Sequence, residues 1–287
     1  MTAYAFGLFV LLGWALGDIF GGLSSRKIGA FKTSFLVSVF GILIFLPKFA
    51  SESSMLSELT PWLLGLNIIL SLFWTTGNVI LNVGMTTAYP SIVASIGMSF
   101  AGVVVILNSI VFDNAVGFLQ WCAIALIALG VILTGIDIRR NEVEGKKLIR
   151  SIILGLSSMI CWALYYTFIK PVADAVGWFL PLYIAIAVST LATWIGSRQK
   201  NAFDFKSIPL LTILFCFLSA FLLRSSDFIL NWSIKENFVD VVAPLGGASP
   251  VLFAILSFFV FKERLKALQI LGVLLVLTGI VTLAFVS

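Results

Sequence analysis

Histidine is absent from this chain of 287 residues, cysteine occurs three times, and charged residues make up only 11% of the total. Without histidine, zinc sites of the usual kind and histidine-based proton relays are excluded. Cys122, Cys161 and Cys216 all lie in apolar segments, which predicts buried thiols and no disulfide. A Walker-type phosphate-binding loop is also missing, so no nucleotide site of that type, no metal site and no cofactor are expected.

Apolar residues dominate the chain: 60% of it is hydrophobic, and the mean hydropathy is +1.12. A membrane-spanning helix needs about 20 apolar residues, so long apolar runs predict an all-α, multi-pass integral membrane protein of a cell inner or plasma membrane, surrounded by lipid. Ten transmembrane helices are predicted, at 3–23, 33–50, 62–83, 91–111, 118–137, 151–171, 178–197, 209–233, 241–261 and 267–286.

The basic residues indicate orientation and not a nucleic-acid partner, although the net charge is +5. They lie in short loops, and cytoplasmic loops of membrane proteins carry an excess of Lys and Arg. With both termini outside, the inner loops hold 14 Lys and Arg and the outer loops hold three. This bias predicts that both termini lie outside.

Sequence similarity between the two halves predicts an internal repeat. GWAL at 13–16 corresponds to CWAL at 161–164 with an offset of 148, and FWTTGNVILN at 73–82 corresponds to LLRSSDFILN at 222–231 with an offset of 149. Several matches keep one register without gaps, whereas the alternative is chance similarity among apolar helices. Each half then has five helices, and an odd number makes the second half start on the opposite side of the membrane, as an inverted repeat.

The repeat divides the chain into three parts. Residues 1–137 form the first five-helix repeat, residues 138–150 form a charged loop between the repeats, and residues 151–287 form the second repeat. In the ninth helix, APLGGASP at 243–250 predicts a weakened helical ladder. Irregular backbone at this depth lines a cavity or is buried in protein, and a simple proline kink is the alternative.

Charged residues inside the eighth helix are the first indication of a site. Arg224, Asp227 and Asn231 stand at i, i+3 and i+7, so they share one helical face. Arg224 cannot lose its proton, so it must pair or bind an anion, and Asp227 is its expected partner. At the repeat offset Asn78 corresponds to Asp227 and Asn82 to Asn231.

The third helix carries a polar stripe that ends in those two asparagines. The stripe predicts a hydrated or substrate-facing wall, and hydrogen bonding between helices is the alternative. Its members share one face of the helix: Asn67, Ser71, Thr75, Asn78 and Asn82.

The first helix combines close-packing glycines with a carboxylate. Its glycines repeat a GxxxG spacing, which lets another helix approach closely; they are Gly13, Gly17 and Gly21. Trp14 and Asp18 lie beside them, and the second half has Trp162 and Tyr166 in the matching places, next to Tyr165. Asp18 has no evident local partner, so it is either the better proton carrier or a hydrated residue near the helix end. We expect it at a different depth from Arg224, by about 10–15 Å, as a second station on one pathway.

Together these patterns predict one set of substrate-binding residues and no catalytic residue. The set is Trp14, Asp18, Asn78, Asn82, Trp162, Tyr165, Tyr166, Arg224, Asp227 and Asn231.

The last two helices, VVAPLGGASPVLFAILSFFVFKERLKALQILGVLLVLTGIV at 241–281, carry a family resemblance through Pro250, Glu263, Gln269, Gly272 and Gly279. Together with GWALGDIFGGLSSRKIG at 13–29, they resemble the EamA type of the drug/metabolite transporter superfamily. The resemblance implies ten helices, a central cavity between inverted halves and alternating access, with the fifth and tenth helices as peripheral supports.

Two features depart from the resembled family. At the position of the first half that corresponds to Glu263, this chain has Asn114 instead of an acidic residue. The first half therefore does not duplicate any role of Glu263. The family often places its termini inside, opposite to the charge bias of this chain.

These observations predict a secondary transporter for a small polar metabolite. An intramembrane Arg suits a carboxylate and the aromatic residues suit an amphipathic body, so an amino acid or related organic acid is the first expectation. Amines or drugs, which Asp18 and Asp227 permit, and sugars or nucleosides are alternatives. Both facilitated diffusion and proton coupling through Asp18 stay open, as does a homodimer.

An enzyme is not expected. An intramembrane aspartyl protease needs two carboxylates close enough to share a proton, and Asp227 lies beside an arginine. A lipid-moving or structural membrane protein is the other remote alternative.

Overall fold

The computed structural model describes residues 2–112, 116–135, 142–198, 208–235, 239–262 and 266–286. Within these ranges the chain is helical and contains no strand. Thirteen α-helices and one 3-10 helix (Ser53–Glu58) are described: α1 Thr2–Ile28, α2 Ala30–Glu52, α3 Pro61–Thr87, α4 Pro90–Met98, α5 Phe100–Phe112, α6 Phe118–Gly135, α7 Glu142–Phe168, α8 Lys170–Val176, α9 Leu180–Arg198, α10 Leu210–Lys235, α11 Val239–Gly247, α12 Ser249–Phe261 and α13 Ala267–Val286.

Seven helical segments of the described chain are long and apolar enough to cross a membrane. They are Ala3–Ile28, Ala30–Glu58, Pro61–Thr87, Pro90–Val111, Glu144–Phe168, Leu180–Ser197 and Leu210–Ser233. Shorter apolar helices cover Phe118–Leu133, Leu245–Phe261 and Ala267–Leu283. Each predicted span therefore falls on an apolar helix or pair of helices, and the count of ten membrane crossings stays a prediction.

Two of the predicted spans are broken, and the breaks lie at corresponding places in the two halves. The segment predicted at 91–111 divides into α4 and α5 at Ser99, and the segment predicted at 241–261 divides into α11 and α12 at Ala248. Both breaks are tight turns: the Ser99 N–H donates to the Ile96 carbonyl, and the Ala248 N–H donates to the Leu245 carbonyl. The break predicted from the Pro and Gly residues of the ninth helix is thus present.

The charged loop predicted at 138–150 is shorter than expected. Residues 138–141 lie outside the described residues, as do Asn114 and Glu263, whereas α7 begins at Glu142. Local contacts hold this extra helical segment: Leu148 is buried, the Lys147 ammonium lies 4.3 Å from the centroid of the Tyr89 ring, and the Ser151 hydroxyl accepts a hydrogen bond of 2.9 Å from the Tyr89 N–H. Charge alone indicated a loop, but an amphipathic helix extends the span here.

Glycines bring α1 and α10 together. A Cβ built on Gly13 would lie 3.0 Å from the Leu222 carbonyl oxygen, and one built on Gly17 would lie 2.7 Å from Leu223 Cγ. Such distances leave no room for a side chain, so the GxxxG stripe of α1 is a packing surface for α10. This contact places the charged face of α10 beside Trp14 and Asp18.

Candidate functional site

A central cavity of about 590 Å³ lies between the helices of the two halves. Seven of the predicted site residues line it: Trp14, Asp18, Asn78, Trp162, Tyr166, Arg224 and Asp227. Both helix breaks also open onto it, through Met98, Phe100 and Ala101 at one and through Gly246, Gly247, Ser249 and Pro250 at the other. The irregular backbone of this protein therefore lines a cavity, where membrane proteins tolerate it.

An ion pair between Arg224 and Asp227 is the most tightly held polar element of the cavity. Arg224 Nη1 donates to Asp227 Oδ2 at 2.6 Å, and the two side chains are only 5% and 12% exposed. The Trp14 indole N–H donates to the other carboxylate oxygen at 2.8 Å, and the guanidinium carbon of Arg224 lies 4.4 Å from the centroid of the Trp74 ring. The pairing predicted from the i, i+3 spacing is present, and both oxygens of Asp227 are engaged.

Asp18 lies in the same cavity but has a different environment. Among the described residues, its carboxylate has no hydrogen bond or ion pair. Asp227 is thus paired with Arg224, whereas Asp18 brings to the cavity a carboxyl group that has no counter-ion among the described residues. The arrangement suits a positively charged group on a ligand.

The prediction of two stations at different depths is wrong, because Asp18 and the ion pair line one cavity. Helix α1 continues to Ile28, five residues beyond the predicted end of the span, so Asp18 lies closer to its middle than expected. The packing of Gly17 against Leu223 and of Gly21 near Ser219 then places Asp18 and Arg224 only about 3 Å apart along the helix axes.

Aromatic rings form the walls around these charges. Phe100 stacks on Tyr166 with a centroid distance of 4.9 Å and meets Trp162 edge-on at 5.8 Å. Trp74 lies under Arg224 as described above. Sequence reasoning missed Trp74 and Phe100. Trp74 stands four residues before Asn78 on the same helical face, and this spacing was the available signal.

Three predicted residues, Asn82, Tyr165 and Asn231, do not line the central cavity. Tyr165 is 3% exposed and packs its edge against Tyr166. Asn231 donates to the Trp178 carbonyl oxygen at 3.4 Å. It shares a helical face with Arg224 but lies about 10 Å further along the axis, beyond the cavity.

The polar stripe of α3 lies in two different environments along its length. Ser71 and Thr75 donate to carbonyl oxygens of their own helix and are buried with Asn67, so this part is packing, contrary to the prediction of a continuous wall. Asn78 reaches the central cavity, and its amide N–H donates to the Trp74 carbonyl oxygen at 2.7 Å. Asn82 bonds to Ser25 and Ser34 instead, at 2.9 and 3.1 Å.

A small second cavity of about 20 Å³ adjoins the central one at Asp18 and Arg224. Asn82 belongs to its lining, together with Asn78 and serines of α2, α9 and α10. This polar space was not predicted, since its residues come from five helices.

The far end of the central cavity is apolar and includes the last helix. Ile280, Leu283 and Phe285 of α13 line it beside Met98. The expectation that the tenth helix is only a peripheral support is therefore wrong. This helix, α13, contacts the two broken helices (α4, α5, α11 and α12), while its Gly279 packs against α6.

Residues 149–285 match the model of the EamA-like transporter family. No curated protein matches the chain. Among solved structures, the crystal structure of a protein with 13% sequence identity has a TM-score of 0.62 and an alignment that covers 99% of this chain and 97% of the other. At this identity the likeness shows a shared fold.

Proposed function

Because residues 149–285 belong to the EamA-like transporter family of the drug/metabolite transporter superfamily, we propose that this integral membrane protein is a secondary transporter that carries a small polar metabolite by alternating access. The observation that carries the proposal is the central cavity, in which Asp18, Arg224 and Asp227 face one space inside the membrane. Intramembrane charges around a cavity mark substrate or ion pathways. A pocket of about 590 Å³ has the size of ordinary small-molecule sites.

The mechanism requires ten spans arranged as two inverted five-helix repeats. Two features support this arrangement. The helix breaks at Ser99 and Ala248 are separated by the repeat offset of 149 residues. The packing pairs also interchange when the halves are exchanged: α1 packs on α10 as α7 packs on α3, and α1 packs on α11 and α12 as α7 packs on α4 and α5. Rocking of one half against the other would expose a cavity between them to each side in turn.

An amino acid is the substrate class that best fits the charges. Its ammonium group would face Asp18, which has no partner among the described residues, and its carboxylate would face Arg224. The aromatic and apolar lining suits a side chain of some bulk. An amine is the second candidate, because Asp227 already pairs with Arg224 at 2.6 Å, which leaves the Asp18 carboxyl as the acidic group without a partner among the described residues.

A protease mechanism fits poorly. Both oxygens of Asp227 are engaged, by Arg224 and by Trp14, so Asp227 is not free to share a proton with Asp18. The matched family, moreover, consists of transporters.

Ligand-dependent thermal unfolding of the purified protein tests the proposal, with amino acids, organic acids, amines, sugars and nucleosides. A ligand at about 100 times its Kd should stabilise the folded state by about 2.7 kcal/mol. For an amino acid, Asp18→Asn and Arg224→Lys should both abolish the shift. For an amine, Asp18→Asn alone should do so. Asn231→Ala, which changes α10 outside the cavity, is the matched control.

Uptake by the same variants in proteoliposomes completes the test. We expect counterflow of the stabilising ligand in the wild type and the control, and its loss in the variants that lose the shift. Normal uptake by both Asp18→Asn and Arg224→Lys would show that the substrate does not use this cavity.

A further inference from the structure

The small cavity beside Asp18 is lined by polar side chains of several helices, together with Arg224 and the apolar side chains of Val37, Trp74, Leu81 and Leu223. Besides the Asp18 carboxylate, its lining includes Asn78 and the serines Ser34, Ser38, Ser189 and Ser219. At about 20 Å³ it has room for one or two particles of the size of water, and none for the proposed organic substrate.

The polar groups around this cavity use their donors in hydrogen bonds to the protein, so mainly hydrogen-bond acceptors remain for a bound particle. Ser219 donates its hydroxyl proton to the Gly17 carbonyl oxygen at 2.8 Å, and Ser38 donates to Ser189 at 3.0 Å. Asn78 directs its amide N–H to the Trp74 carbonyl oxygen. The oxygen lone pairs of these three groups remain available, and a carboxylate with neutral oxygens is the ligand chemistry of a hard cation.

The charged residues at the two cavities leave one carboxyl without a counter-ion. Arg224, which also lines the small cavity, is paired with Asp227, whereas Asp18 has no ion pair among the described residues. The guanidinium group of Arg224 is turned towards Asp227 and the Trp74 ring, while its stem passes Gly41, where a built Cβ would lie 3.2 Å from Arg224 Cγ. Arg224 Nε is buried without a hydrogen-bond partner among the described residues, and a water in the small cavity would accept from it.

We infer that the small cavity binds a sodium ion between Asp18 and the oxygens of Asn78, Ser38 and Ser219. A bound proton would need only one oxygen of Asp18, whereas this space gathers amide and hydroxyl oxygens from α2, α3, α9 and α10 around the carboxylate. The sequence predicted no metal site because the chain has no histidine and its cysteines lie in apolar segments, but sodium does not use these ligands. A coupling role for this sodium rests on the proposed transport function, whereas sodium binding at this site does not.

Thermal unfolding without substrate tests the binding site. Sodium chloride should raise the Tm of the wild type saturably, by several degrees, at constant ionic strength and pH, whereas potassium or choline chloride should not. Asp18→Asn should abolish the sodium-dependent shift, and Ser219→Ala should weaken the apparent sodium affinity at least severalfold. Ser233→Ala, on the same helix and bonded only to its own helix at Leu230, should leave the shift unchanged.

Two outcomes would overturn the inference: no sodium-specific shift in the wild type, or a sodium shift that persists in Asp18→Asn. Transport assays separate this inference from the proposed function. Sodium stabilisation without any transport would retain the ion site and refute the transporter. Transport that is independent of sodium, in a protein that sodium does not stabilise, would retain the transporter and refute the ion site.

Discussion

Removing one member of the Arg224–Asp227 pair should destabilise the protein far more than removing both. Asp227→Leu leaves the Arg224 guanidinium buried without its counter-ion and leaves the Trp14 indole N–H without its acceptor. Breaking a buried pair costs about 3–5 kcal/mol. Both side chains border the central cavity and are not enclosed on every side, so we expect the lower end of this range, about 3 kcal/mol, for this variant.

The reciprocal variant and the double variant complete a thermodynamic cycle. Arg224→Met should cost a similar free energy of unfolding, because it leaves Asp227 unpaired and removes the guanidinium from the Trp74 ring, a contact of about 1 kcal/mol. In the double variant no charge is left unpaired, and the main remaining defect is the orphaned Trp14 donor, which costs about 1–2 kcal/mol. The coupling energy between the two positions should therefore be about 4 kcal/mol.

The measurement is reversible unfolding in mixed micelles with increasing denaturing detergent, followed by tryptophan fluorescence and circular dichroism. Asn231→Leu, on the same helix, supplies a control with an expected change of about 1 kcal/mol or less. If the losses of the two single variants add in the double variant to within about 0.5 kcal/mol, the pair is not coupled and the reasoning fails.

Two further predictions concern packing and binding. Gly130→Val should destabilise the protein by about 2–3 kcal/mol in the same unfolding assay, because a Cβ there would lie 2.5 Å from the Gly272 carbonyl oxygen. At Gly65 a Cβ meets nothing within 4 Å, so Gly65→Val should change stability by about 1 kcal/mol or less. Equal losses in the two variants would contradict the packing argument. Trp74→Leu should weaken ligand binding at least tenfold by calorimetry, because Trp74 lines the central cavity. Phe118→Leu, on the exposed face of α6, should leave the affinity unchanged. Wild-type affinity in Trp74→Leu would show that the Trp74 ring is not part of the binding site.

Sequence reasoning succeeded where a single helix determines the answer. The Arg224–Asp227 pair follows from the i, i+3 spacing, because residues three apart on a helix are neighbours whatever surrounds them. The break near 248 follows from Pro250, which removes a backbone donor. The corresponding break at Ser99 has no proline beside it, and only the repeat offset connects it to Ala248.

It failed where the answer depends on how one helix lies against another. Asn78 and Asn82 share a face of α3, yet the first reaches the central cavity and the second reaches only the small one, since they stand one turn apart. The tenth helix was assigned to the periphery by the family resemblance, and hydropathy does not show that Ile280, Leu283 and Phe285 line the cavity.

The sequence by itself determined that the chain consists of apolar helices, that segments of its two halves match at an offset of 149, and that Arg224 and Asp227 stand three residues apart within one apolar helix. These properties depend on helix length, hydropathy and spacing, which are local. Only the tertiary structure decided that Trp14 bonds to Asp227 across 213 residues of sequence and that Asp18 joins the same cavity without a partner among the described residues. The reason is physical: periodicity sets the direction of a side chain on its own helix, whereas the axial register between helices is set by contacts such as Gly17 against Leu223.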